Sequence, residues 1–194
     1  MNPKIAIVPF PGDYSVWPEG VHGFISFNQI DDVNIEVSWS LEGLDNNKTY
    51  GFHIHESSFA DKRSLGIGCN ELGGHFNPTG DEHGKHAGDL CYNIETNNKG
   101  ISEGSYITNK ISLKVDSDKC ILGRSVVVHG LQDDEGKQGR FIDGIFIKYT
   151  QMTKEQINIL GLNKNADELM RESLVTGNAG CRILCGNIIP LFQQ

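Results

Sequence analysis

The chain has 194 residues, with 17 Lys and Arg against 25 Asp and Glu, a formal net charge of -8. That length suits one domain with a full-sized core, or one domain carrying a large insertion. The acidic balance argues against a nucleic-acid backbone as main partner. Hydrophobic content of 38% with 22% charged residues excludes wholesale disorder, and apolar runs such as Ile5 to Phe10 are far short of a membrane span.

The start, Met1-Asn2-Pro3-Lys4 before an apolar run broken by Pro9, lacks a signal-peptide core and cleavage site, so a soluble, cytoplasmic protein is expected. Strand signals then follow in order. Ile5 to Phe10 opens the series and Val21 to Phe27 alternates. Val33, Ile35, Val37, Trp39 and Leu41 give strict period-2 spacing. Tyr50 to His55 comes next. Residues 56–90 break the rhythm with little strand pattern and many glycines, and a loop of that length calls for a function or an internal staple. Further strands are expected at Ile101 to Ile107, Ile111 to Val115, Arg124 to His129 and Arg182 to Ile189. About eight short strands separated by Asp/Asn/Gly turns read as an antiparallel sandwich or barrel.

Within residues 131–175 the period lengthens. Thr153-x-x-Gln156 ahead of Ile157 and Leu160, and Asn165-x-x-Glu168 ahead of Leu169, are capping-box patterns, so two short surface helices are expected in an insertion.

The histidines carry the chemistry. His53 and His55 sit at i and i+2 on a strand and therefore share a face. His75, His83, His86 and Asp89 cluster in the glycine-rich loop, and His129 ends the Val126 to Val128 strand. Three imidazoles with one carboxylate suit a closed tetrahedral Zn2+ site, and three or four imidazoles in a tetragonal arrangement suit Cu2+. A stapling metal also explains how so long a loop can be ordered. His22 is read as an ordinary histidine. Five cysteines, an odd count, put metal, redox or buried thiols ahead of a pure disulfide framework.

Five blocks in order, Gly51-Phe-His-Ile-His-Glu56, Gly74-His-Phe-Asn-Pro78, His86-Ala-Gly-Asp-Leu90, Gly123-Arg-Ser-Val-Val-Val-His129 and Thr176-Gly-Asn-Ala-Gly180, resemble the copper/zinc superoxide dismutases. The Asn-rich composition is also similar to that of homologues carried by large DNA viruses, whose setting would be the host cytoplasm or the virion. The resemblance implies a single domain over 1–194 with an eight-stranded antiparallel Greek-key barrel or sandwich, an architecture shared with immunoglobulin-like folds. Residues 131–175 would be an enlarged electrostatic loop within it.

The resemblance further implies one copper per chain on His53, His55, His75 and His129, and one zinc on His75, His83, His86 and Asp89. His75 would bridge the two metals and take up a proton during turnover. Asp133 would link His53 to His83 from outside the ligand set, Arg182 would stand above the copper to orient superoxide, and Cys69 would pair with Cys185. A homodimer and a copper chaperone are the partners it implies. Two non-catalytic readings compete: a metal-carrying decoy for the chaperone, and a β-sandwich adhesion domain, which leaves the histidine pattern unexplained.

Departures from the family pattern are local. Only two residues separate His83 from His86, the stretch from His129 to Arg182 is long, and Val175 stands where a Lys is common. Ser57 and Ser58 replace an aromatic–Gly pair near the family dimer interface, and Pro190 interrupts the last strand. Cys91 reads as a small packed side chain, Cys120 as a free thiol and Cys181 as unpaired. Residues 131–175 hold eight acidic and six basic side chains, 6 − 8 = −2, with Lys137 and Arg140 as candidate channel cations.

Overall fold

A computed structural model describes residues 2–60 and 68–192; the side chains of Cys91 and Tyr92 lie outside the described residues. Ten strands form two five-stranded sheets. The first is ordered β12-β1-β3-β4-β7, with β1 Ile5–Phe10, β3 His22–Gln29, β4 Ile35–Glu42, β7 Ser102–Thr108 and β12 Ile189–Leu191. The second is ordered β2-β11-β8-β5-β6, with β2 Ser15–Val16, β5 Thr49–His55, β6 Asp89–Glu95, β8 Ser125–His129 and β11 Arg182–Asn187. All recorded pairings between these strands are antiparallel. Eight strands make the Greek-key framework: β4 lies beside β7 and β5 beside β8, so the connections cross between sheets. Strands β2 and β12 only extend the edges. Pro190 is tolerated because β12 is such an edge, where one missing N–H leaves no interior ladder broken.

The core lies between the sheets and follows the period-2 pattern. Ala6, Val8, Ile25, Phe27, Val37 and Leu41 face Phe52, Ile54, Ile94, Val126, Val128 and Leu184, and each is fully buried. Burying each of the larger side chains contributes roughly 1.5–3 kcal/mol. Because Phe52 and Ile54 point into this core, His53 and His55 must point away from it. That parity sets the site.

Several local expectations need correction. Val33 lies outside β4 and is exposed, because Asp31 Oδ1 accepts hydrogen bonds from the Val33 and Asn34 amides and holds a turn there. Ile111 to Val115 is not a strand. Ile111 and Leu113 do alternate into the core, but the Leu113 amide donates to the Gln29 side chain and the Lys114 amide to Ser112 Oγ. The alternation there records a plug at the barrel end, with one bridge from Ser112 to Cys120. The Arg182 to Ile189 run splits into β11 and β12, which belong to different sheets, and β6 carries too irregular an apolar pattern to have been expected.

Residues 131–175 fold into more than two helices. The hairpin β9 Gly139–Ile142 and β10 Ile145–Lys148 turns on Asp143-Gly144, both at positive φ, an Asp-Gly hairpin signal. Helix α1, Lys154–Ile159, and helix α2, Ala166–Thr176, start at Thr153 and Asn165 with both capping boxes formed as their sequences require. Nor are they merely surface helices: Tyr149, Ile157, Leu162 and Leu169 are buried in a small core of their own.

Candidate metal centre

The pairing of β5 with β8 and of β8 with β11 brings His53 beside Val127 and His55 beside Ser125, and sets Arg182 opposite His129. The long loop then lies across the outer face of this sheet. The Phe76 amide donates to the Ile54 carbonyl, the Ile54 amide to Gly88 and the Gly88 amide to Phe76, so the loop is stitched to β5 at two points. Cys69 starts a short 3-10 turn, Cys69–Leu72, and is joined to Cys185 on β11. Both cysteines are buried with Phe59, Leu72 and Val127. This crosslink and the stitches deliver His75, His83, His86 and Asp89 to the strand histidines.

Three groups of side chains result, each with donor atoms within 4.8 Å of one another. They are His53, His55, His75 and His129; His75, His83, His86 and Asp89; and His53, His83 and Asp133. His75 belongs to both imidazole-rich sets, its ring centroid 4.0 Å from that of His53 and 5.2 Å from that of His83. Its Nδ1 lies 2.7 Å from Asp89 Oδ1, which leaves Nε2 for the strand set. His55 and His129 direct Nδ1 to the carbonyls of Gly73 and Gly180 at 3.0 and 3.3 Å. His53 and His83 direct Nε2 to the two oxygens of Asp133 at 2.5 and 2.9 Å.

The remaining nitrogens test whether cations fit. His53 Nδ1, His55 Nε2, His83 Nδ1, His86 Nδ1 and His129 Nε2 are all buried without a hydrogen-bond partner. His83 Nδ1 and His86 Nδ1 each approach Asp89 Oδ2 to 3.0 Å, yet neither is aligned as a hydrogen bond. Buried nitrogens left bare cost free energy in an apolar setting unless something accepts their lone pairs. Here the outer nitrogen of four of the rings is held by a carbonyl or carboxylate while the inner nitrogens converge, the arrangement that orients ligand rings. One all-imidazole set suits copper; the set with a carboxylate suits zinc.

Electrostatics divide the two sets. Burial, then the neighbouring His75 ring, pushes His53 well below the ordinary histidine range and His55 down to about 2. Burial likewise pushes His129 down to about 4, and lowers His75 against the pull of Asp89. These four rings are neutral and offer lone pairs. For His83 burial also opposes protonation, but the hydrogen bond with Asp133 and the close Asp89 carboxylate overcome it and push the ring up to about 9. Burial acts to raise Asp89, and its hydrogen bond with His75 and the close His83 ring hold it well below the usual carboxylate range. Without metal, a proton thus occupies the side where a cation's charge belongs.

A pH dependence follows for the metal-free protein. An unfolded histidine titrates near 6.5, whereas His53, His55, His75 and His129 stay neutral when folded, so unfolding takes up protons as pH falls through 6.5. Each ring then removes up to about 1.4 kcal/mol of stability per pH unit until its folded pKa is reached. The contribution of His83 has the opposite sign: it is present below about 6.5 and is lost as pH rises through about 9. Calorimetry of metal-free protein should show a lower Tm at pH 5.5 than at pH 7.5; equal values would contradict the neutral cluster.

Arg182 is half-buried. It donates from Nη1 to the Cys69 carbonyl at 2.9 Å and from Nη2 to Gly73 at 2.6 Å, which fixes its guanidinium at the mouth of a cavity of about 450 Å3. His75, His129 and Val175 line the same cavity. Of the candidate channel cations, Arg140 is instead buried against Tyr149 and the Asn178 carbonyl, and Lys137 pairs with Glu135. Among the described residues Lys164 joins Arg182 in lining the cavity, and it is ion-paired with Glu172. Cys181 is a free, exposed thiol on the rim, Cys120 is free and half-buried, and His22 sits at the surface beside Glu42.

Two contributors escaped the sequence reading. Lys110 donates from Nζ to the Gly84 and Asp89 carbonyls, both at 3.0 Å, tying the zinc-side loop to the segment after β7. Gly177, at φ 64, caps α2 and lies so close to the linking carboxylate that a Cβ would fall 1.8 Å from Asp133 Oδ1. The Gly177 position was visible as a helix stop; nothing near Lys110 in sequence marked it.

The sequence profile described as copper/zinc superoxide dismutase (SODC) matches residues 21–153. A Cu-Zn superoxide dismutase of Kluyveromyces lactis is 37% identical over 190 residues, covering 94% of this chain and 95% of the relative. An extracellular Cu-Zn superoxide dismutase of Drosophila melanogaster is 37% identical over 175 residues, covering 87% and 75%. Among solved structures, the clock protein EA4 is similar with a TM-score of 0.71 and 29% identity, over 98% of this chain and 97% of that one.

Proposed function

The chain belongs to the copper/zinc superoxide dismutase family, and from that premise we propose that its two ligand sets form the dismutase centre. Two superoxide anions and two protons become O2 and H2O2. His53, His55, His75 and His129 hold copper; His75, His83, His86 and Asp89 hold zinc. One observation carries the assignment: His75 is common to both sets while the buried nitrogens around it have no other partner. Copper, when bound, supplies the one-electron couple, and zinc a fixed positive charge.

The chain's own groups do the rest. Arg182, locked by two carbonyls, binds and orients a small anion at the cavity mouth. His75, its Nδ1 directed to the zinc-side carboxylate, can hold a proton at Nε2 and release it to reduced oxygen. Asp133 keeps His53 and His83 in one orientation. The residues 131–175 belong to the same domain in this reading, supported by the hydrogen bond from the His83 amide to the Leu174 carbonyl. A homodimer and copper delivery by a chaperone come with the family resemblance. No helix among the described residues is long and apolar enough to cross a membrane.

Metal analysis with a dismutation assay on purified protein tests the proposal: one copper, one zinc and activity are expected. Protein that carries both metals and fails to dismute superoxide would instead be a metal-carrying decoy.

Steering is expected to be weak. The protein is at -8 and its substrate is an anion, and Lys164 at the mouth is offset by Glu172. Val175 is exposed on the cavity lining. Val175→Lys should therefore raise the rate at low ionic strength and steepen its fall with salt, because screening acts over about 10 Å at 0.1 M. Arg182→Ala should lower the rate at every salt concentration. Stopped-flow rates across a salt series check both; a flat response to Val175→Lys would mean the cavity field is set elsewhere.

A further inference from the structure

The carboxylate that joins the two ligand sets is followed at once by a second buried one. Asp134 is 5% exposed and accepts four hydrogen bonds. Oδ1 receives Ser173 Oγ at 2.7 Å and the Gly136 amide at 3.0 Å; Oδ2 receives the Tyr149 hydroxyl at 2.7 Å and Asn178 Nδ2 at 3.0 Å. Arg140, 6% exposed on β9, donates to the Tyr149 oxygen at 3.1 Å and to the Asn178 carbonyl at 2.6 Å. The turn at Tyr149, helix α2 and the chain after it are thereby gathered on one side chain, and Arg140 joins the hairpin to them through Tyr149 and Asn178. It is the neighbour of the residue that touches His53 and His83.

From there the contacts reach the metal side directly. The Asp134 amide donates to the Gly177 carbonyl at 2.8 Å, and the His83 amide to Leu174 at 3.0 Å. Gly177 lies against the Asp133–His83 hydrogen bond so closely that a Cβ there would come 2.4 Å from His83 Nε2. Nothing separates the end of α2 from the ring that faces the zinc side. Buried networks of this kind rigidify only when every member is satisfied, and removal of one partner propagates through the rest.

We propose that residues 139–177 act as a clamp on Asp133: the Arg140–Tyr149–Asp134 network seats the segment, and the seated segment sets how tightly the His75, His83, His86 and Asp89 site retains its metal. Tyr149 and Arg140 are positioning residues, acting on His83 through Asp134, Gly177 and Asp133. This rests on the zinc assignment above. Without the network the helix end can move off the Asp133–His83 bond, and His83 loses the fixed orientation that a ligand needs.

Tyr149→Phe removes one hydroxyl and keeps the ring, and Arg140→Met removes the guanidinium while filling similar space. Both should expose residues 139–177 to limited proteolysis and weaken zinc affinity by about tenfold in chelator competition. Both should also alter the visible spectrum of Co2+ placed in the zinc site. Ile25→Val, in the opposite sheet, is the control for loss of stability alone and should change neither affinity nor spectrum. If proteolysis is unchanged in both variants, the network does not seat the segment. If the segment loosens while affinity and spectrum stay as in the parent, the segment is an appendage and the clamp is wrong. Failure of the parent protein itself to bind zinc would remove the site assignment, a different outcome from either.

Discussion

His55→Ala and His129→Ala are expected to lose copper and reduce dismutation to background while retaining zinc. Both residues present Nε2 to the strand set only, and neither belongs to the group around Asp89. His53 is a poorer choice, because Asp133 couples it to His83 and its removal disturbs both sides. Either substitution would leave only three imidazoles in the set that would hold copper. Elemental analysis alongside the rate assay separates the metals. Full activity in both variants would refute the copper assignment.

Removal of the crosslink should have the second large effect. Cys69 and Cys185 are 116 residues apart, and closing so long a loop restricts the unfolded chain by about 4–5 kcal/mol in the chain-entropy treatment, an upper figure. The Cys69→Ala, Cys185→Ala double variant should lose a large part of that by denaturant midpoint. It should also lose activity per bound copper, because Arg182 is held by the carbonyls of Cys69 and Gly73. The free Cys181 stands exposed on the rim and offers no substitute crosslink. A variant with unchanged midpoint and unchanged activity per copper would show that the loop is held without the disulfide.

Much of the site was legible because its determinants are local. On a strand, i and i+2 share a face, so His53 and His55 were committed to one side as soon as Phe52 and Ile54 were committed to the core. Capping boxes act over four residues, so Thr153 and Asn165 announced their helices. The Asp143-Gly144 hairpin was equally local and could have been read; its signal lay inside a segment whose period suggested helices. Six of the seven proposed ligand positions lie in ordered blocks; His83 came from the histidine spacing of the loop and Arg182 from the resemblance, and the structure brings these side chains around His75.

What tertiary structure alone decided are the relations between distant segments. Alternation at Ile111 to Val115 reports burial, and burial is satisfied as well by a plug at the barrel end as by a strand. Only the position of Gln29, more than eighty residues earlier, settles which. The last run divides between two sheets because its outer half pairs with β1 at the other end of the chain. A cation's role depends on what faces it: Arg140 is used up by Tyr149 and Asn178, while Lys164 reaches the cavity. Residues 131–175 read as an insertion, but whether they hang free or bear on the metal centre depends on Asp134 meeting Tyr149, Ser173 and Asn178, contacts spanning 15 to 44 residues. Backbone periodicity encodes which side of an element is apolar; which partner covers it is a property of the assembled chain.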